Sequence, residues 1–181
     1  MFERFGDLPL HVLVIHLTVL VLPVAALTAI VYALVPKWRW LLRWPTLLLG
    51  LGALVCAFVA KKSGEAFVAA VPQLKPLVKI HQDRGNLLFW FVLAFAVVAV
   101  AAFLLLTGPS ALASGKGAKA TKSRPLELVM SAAVVVVGVL VIYQTIRTGD
   151  AGAKAVWTGQ LPPKSIWRSE ERRVGKKCRS R

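Results

Sequence analysis

Three histidines are the side chains of this 181-residue chain best suited to chemistry, and each lies where an apolar segment begins. His11 and His16 stand at the mouth of an uncharged apolar run over 12–34, and His81 falls just before a later one. Imidazole at the edge of a membrane span is costly to bury and marks a functional site by default. On a helix, the five-residue step from His11 to His16 is ~7.5 Å of rise and ~140° of rotation, so the two do not share a face. His11 and His81, each near the start of its span, match in depth. Glu65 in the second connection, Asp83, Arg84 and Asn86 at the opening of the third span, and Asp150 after the fourth lie at the same membrane face.

These residue types allow three readings. Two imidazoles from different helices can clamp a b-type haem between apolar walls, with electron transfer in the bilayer as the activity. His11 and His81 are then the axial pair, His16 the substitute for His11, and Arg84 the partner of a propionate. The chain lacks the paired histidines on two helices that di-haem membrane cytochromes carry. A non-haem metal held by His11, His16, His81, Glu65 and Asp83 is the second reading, although no HxxH or HxxxH spacing supports it. In the third, histidines and carboxylates form a hydrogen-bonded polar cap that fixes helix register, because buried polar groups must be satisfied whatever their role. No catalytic residue is assigned, and a non-enzyme is the expectation.

The elements that position these residues are four apolar runs of membrane-spanning length, expected at about 8–35, 41–60, 86–106 and 126–146. Asp7 is a candidate N-cap for the first, Pro23 a kink within it. The second is uncharged only over 44–60 and reaches full length if Arg43 snorkels and Trp40 and Trp44 anchor. Gly50, Gly52, Ala53 and Ala57 offer it a small-residue packing surface. Short first and third connections make neighbours antiparallel, which predicts an all-α, up-down-up-down four-helix bundle over 1–160. The stretch 61–84 reads as an interfacial segment, with Phe67, Val71, Leu74 and Val78 on a stripe that Pro72 and Pro76 interrupt. Stretch 111–122 is a flexible basic loop. Over 149–157, Gly149 reads as a helix stop and Asp150 as the cap of a new short helix, with Trp157 folding back as an anchor. In that arrangement Asp150 would accept a hydrogen bond from His11 or His81.

A composition of 57% hydrophobic residues excludes an ordinary soluble domain. The net charge of +15 does not point to nucleic acid, since the basic residues sit in connections and tail, where anionic headgroups explain them. Cys56 and Cys178 have no partner spacing, and the N-terminal flank is too acidic for a cleavable signal. Residues 161–181 are expected to be a disordered basic tail, of which 168–181 (RSEERRVGKKCRSR) resembles a translated adaptor or vector stretch. Lys37 and Arg39 flank the first span in a short connection, the position the positive-inside rule weights most, so both termini are expected outside the cytoplasm.

Four motifs in order, LPLHVLVIH with VLPVAAL, SGEAF, IHQDRGN and GDAGAKAVW, resemble the prokaryotic membrane proteins grouped as domain of unknown function 2231, over about residues 7 to 160. The resemblance implies a small four-helix bundle in a prokaryotic plasma membrane without an assigned activity. It implies motif positions His11, His16, Glu65, His81, Gly149, Asp150, Gly152 and Trp157. A distant similarity of that family to b-type membrane cytochromes adds to the haem reading by analogy only. The expected partners are the lipid bilayer and either a redox partner or a second copy of the chain.

Overall fold

A computed structural model describes residues 4–5, 8–106 and 124–157 of the chain. A two-residue antiparallel pairing of β1 (Arg4–Phe5) with β2 (Leu8–Pro9) precedes the first helix. Four long helices follow: α1 (Leu10–Leu34), α2 (Arg39–Ala70), α3 (Lys75–Leu105) and α4 (Arg124–Trp157). All four are long and apolar enough to cross a membrane. α1 packs on α2 and α4, α3 packs on the same two, and α1 and α3 face each other across the bundle diagonal. The chain is an all-α, four-helix membrane bundle.

Three helices extend well past the expected spans. α2 continues ten residues beyond Ala60, α3 begins eleven before Asn86, and α4 runs through Gly149 to Trp157. Apolarity ends where hydrocarbon ends, but helical hydrogen bonding does not. Lys61 and Lys62 both pair with Glu65 at 2.8 and 3.0 Å, and Lys154 pairs with Asp150 at 2.8 Å. Such i,i+3 and i,i+4 pairs support the helix in the headgroup zone. The expected interfacial segment is therefore two helix extensions joined by a tight turn. Pro72 opens its 3-10 turn, and Pro76 falls in the first turn of α3, where no backbone donor is missed. Gly149 does not stop α4, so no separate short helix capped by Asp150 forms. The Asp7 cap, the 111–122 loop and the 161–181 tail lie outside the described residues.

The bundle axis has three levels. The middle is apolar and filled, with Leu22, Ala25, Ala26, Val92, Phe95 and Val141 at its centre. Gly50 lets α2 approach α3 closely; a Cβ there would sit 3.0 Å from the Cβ of Ala99. At the end near the α1–α2 turn, Arg39 is only 3% exposed. Its guanidinium donates to Tyr32 O at 3.2 Å, to Ala33 O at 3.0 Å and to the Glu127 carboxylate. The Tyr32 hydroxyl donates to Ala102 O and Leu106 O at 3.3 and 3.0 Å. At the opposite end lie the histidines. Large side chains such as Leu20, Leu48, Val97 and Leu128 cover the outside, as a lipid-facing surface requires.

Candidate functional site

His11 opens α1 and His81 lies in the second turn of α3, so these diagonal helices point one imidazole each into the same end of the bundle. Their ring centroids are 6.2 Å apart and the planes meet at 70°. His11 Nδ1 donates to Ala60 O of α2 at 3.1 Å and lies 3.3 Å from Ser63 Oγ. His81 Nδ1 donates to Thr148 O of α4 at 3.0 Å. A carbonyl oxygen only accepts, so Nδ1 carries the proton on both rings and, in the neutral form, each Nε2 keeps its lone pair.

A glycine lies against each ring. A Cβ on Gly64 would sit 3.0 Å from His11 Cε1 and 3.2 Å from Nδ1; one on Gly152 would sit 3.0 Å from both Cε1 and Nδ1 of His81. No side chain fits there without moving the ring. Ser63 is fully buried and donates from Oγ to Ala60 O at 3.1 Å. One level deeper, Thr18 and Thr145 return their hydroxyls to their own helices at 2.8 Å. The buried Thr148 hydroxyl has no hydrogen-bond partner among the described residues.

The remaining sequence-named residues divide around this pair. Arg84 reaches Arg147 O at 3.5 Å at the rim. Asn86 accepts from Lys61 Nζ at 2.6 Å, tying α2 to α3. His16 is exposed and bonds Val12 O of its own helix at 2.6 Å, on the outer face that the 140° rotation requires. Glu65 is held by Lys61 and Lys62, and Asp83 is exposed. Asp150 is exposed and paired with Lys154, so the tautomer-fixing acceptor of His81 is the Thr148 carbonyl and not the Asp150 carboxylate. Trp157 ends α4 exposed. Gly152 lies beside the His81 ring, where a Cβ would meet Cε1 and Nδ1 at 3.0 Å.

Among the described residues, no three or more His, Cys, Asp or Glu side chains come together as a metal cluster. The five-residue non-haem set is thus not assembled; two imidazoles are. Sequence reasoning missed Ser63, Gly64 and the two carbonyls. The carbonyls carry no side-chain signal, whereas a small residue pair just past a span, opposite a histidine, is a usable one.

Fold and site define a class: a small multi-span helical membrane protein with a paired-imidazole site at one end. The chain matches the family described as predicted membrane protein (DUF2231) over residues 7–162 and belongs to it. No curated protein and no solved structure matches it.

Proposed function

We propose that the His11–His81 pair holds the iron of one b-type haem and that the protein passes electrons within the membrane. The observation that carries this reading is the pair itself. Metal–imidazole bonds of about 2.0–2.1 Å put two rings on one first-row metal with centroids roughly 6 Å apart. The separation of 6.2 Å fits that requirement. Metal-bound histidines characteristically donate the other ring N–H to a carbonyl or carboxylate, which raises ligand basicity and fixes orientation. Both rings here do so, through Ala60 O and Thr148 O. Gly64 and Gly152 keep side chains away from the ring flanks. Arg84 supplies a cation at the rim for acidic side groups of the macrocycle.

When bound, haem supplies one-electron chemistry. The residues of this chain hold the two imidazoles in one tautomer, with the buried Thr18, Thr145 and Thr148 one level beneath them, and keep the site at one end of the bundle. The partner is a redox carrier or an adjoining membrane protein, with a second copy of this chain as the other candidate. We place the protein in a prokaryotic plasma membrane with both termini, and hence this site, outside the cytoplasm.

A structural cap is the competing reading, favoured by one observation: both imidazoles already link neighbouring helices through satisfied hydrogen bonds. The two separate in detergent-purified protein expressed with haem supply. Under the haem reading, His11→Ala and His81→Ala each abolish the sharp α and β bands of a six-coordinate haem, and His16→Ala keeps them. A colourless, folded wild type with destabilised His11→Ala and His81→Ala variants would establish the cap instead.

A further inference from the structure

The two histidines are held by the same device, built once in each helical hairpin. In the α1–α2 hairpin, His11 Nδ1 donates to the carbonyl of Ala60, and four residues later Gly64 lies under the ring. In the α3–α4 hairpin, His81 Nδ1 donates to the carbonyl of Thr148, and four residues later Gly152 lies under the ring. The sequences around the two glycines, AKKSGEA and TGDAGAK, share little beyond the glycine itself, so the equivalence is one of geometry.

The four-residue offset has a physical reason. In an α-helix the carbonyl of residue i already accepts the N–H of residue i+4. A side chain from a neighbouring helix that bonds the same carbonyl must approach along the groove above residue i+4. A Cβ at that position crowds the approach: it would sit 3.0 Å from His11 Cε1 or 3.0 Å from His81 Cε1, so the ring would have to give by a few tenths of an ångström. The other helix glycines near this level do not behave this way: Gly85 and Gly149 face open space. Glycine within a helix costs about 1 kcal/mol relative to alanine, so its use at two such equivalent points needs a compensating role.

We infer that Gly64 and Gly152 are the positioning residues of the imidazole pair, each leaving the room in which the histidine from the partner helix of its own hairpin reaches the carbonyl that fixes its tautomer. The site is therefore two half-sites of one design. They differ at the residue before each glycine, where the fully buried Ser63 adds a hydroxyl beside His11 Nδ1 and Ala151 adds none to His81. The inference deepens the haem reading for the spectrum of a loaded site, but the seating of the rings stands without any bound group.

The test is imidazole 15N NMR of the full chain in detergent without added haem, followed by visible spectra after addition of haemin. In the wild type, His11 and His81 both give the Nδ1–H tautomer when neutral. Gly64→Ala moves the His11 resonances and leaves His81 in place; Gly152→Ala does the reverse; Gly85→Ala moves neither. With haemin, Gly64→Ala and Gly152→Ala each weaken the six-coordinate bands, whereas Gly85→Ala keeps them. A wild type with either histidine as the Nε2–H tautomer overturns the inference, even if no alanine variant folds. Folded Gly64→Ala or Gly152→Ala protein with unmoved resonances overturns it as well. Resonances that move as expected in a protein that takes up no haemin would sink the haem reading and leave the positioning role standing.

Discussion

At the scale of single residues, the site depends on which imidazole nitrogen is committed. His11 Nδ1–H is shared between Ala60 O and Ser63 Oγ, while the Ser63 hydroxyl itself donates to Ala60 O. These roles are mutually consistent, and the serine is an accessory acceptor to a bond the carbonyl already satisfies. Ser63→Ala should therefore cost about 1 kcal/mol, the ordinary net worth of one such hydrogen bond. Denaturant or thermal unfolding checks this; a loss several times larger, or loss of the His11 Nδ1–H tautomer, would make Ser63 the primary holder of the ring. The histidines were legible in the sequence because imidazole at a span entrance is conspicuous, and the His11–His16 rotation separated the inward ring from the outward one. Their acceptors were not legible. Backbone carbonyls have no residue signature, so Asp150, the nearest acidic side chain in sequence, stood in for the Thr148 carbonyl.

At the scale of elements, the two ends of the bundle are fastened differently. The histidine end joins helices that follow one another in the chain, α1 to α2 and α3 to α4 through the imidazoles and α2 to α3 through Lys61 and Asn86. The opposite end also joins elements far apart in sequence: Arg39 at the start of α2 is bound to the nearby carbonyls of Tyr32 and Ala33 in α1 and, 88 residues away, to Glu127 in the first turn of α4. Removing one partner of a buried ion pair is strongly destabilising because the other charge stays buried. Glu127→Ala should lower stability by about 3 kcal/mol, with Glu127→Gln costing less because the amide oxygen still accepts from the guanidinium. Unfolding measurements on both variants test this, and an Ala variant as stable as the wild type would show that Arg39 is held without Glu127. This pair had no sequence signal beyond two charges near the ends of expected spans, 88 residues apart. Arg39 entered the reading only as part of a basic flank. The helix extensions were missed for a related reason: hydropathy locates hydrocarbon, whereas Lys61, Lys62 and Glu65 carry α2 onward into water.

At the scale of the whole molecule, polar groups concentrate at the two ends and the middle is closed by packed apolar side chains. Among the described residues, Leu22, Val92, Phe95 and Val141 close the middle of the axis with apolar side chains, which separates the histidine end from the Arg39 end. The four-span architecture was legible from length and apolarity alone, because a bilayer admits few ways to satisfy a spanning backbone. The convergence of His11 and His81 across the diagonal follows from that architecture once both rings sit near span entrances of parallel helices. Low-temperature electron paramagnetic resonance of the oxidised, haem-supplied wild type tests the resulting claim most directly, because the signal reports both the number of imidazole ligands and the angle between their planes. Rings held at 70° predict one highly anisotropic low-spin ferric signal, the signature of near-perpendicular imidazoles. A folded protein with no haem signal, a high-spin signal from a single ligand, or a rhombic low-spin signal from parallel rings would contradict the account.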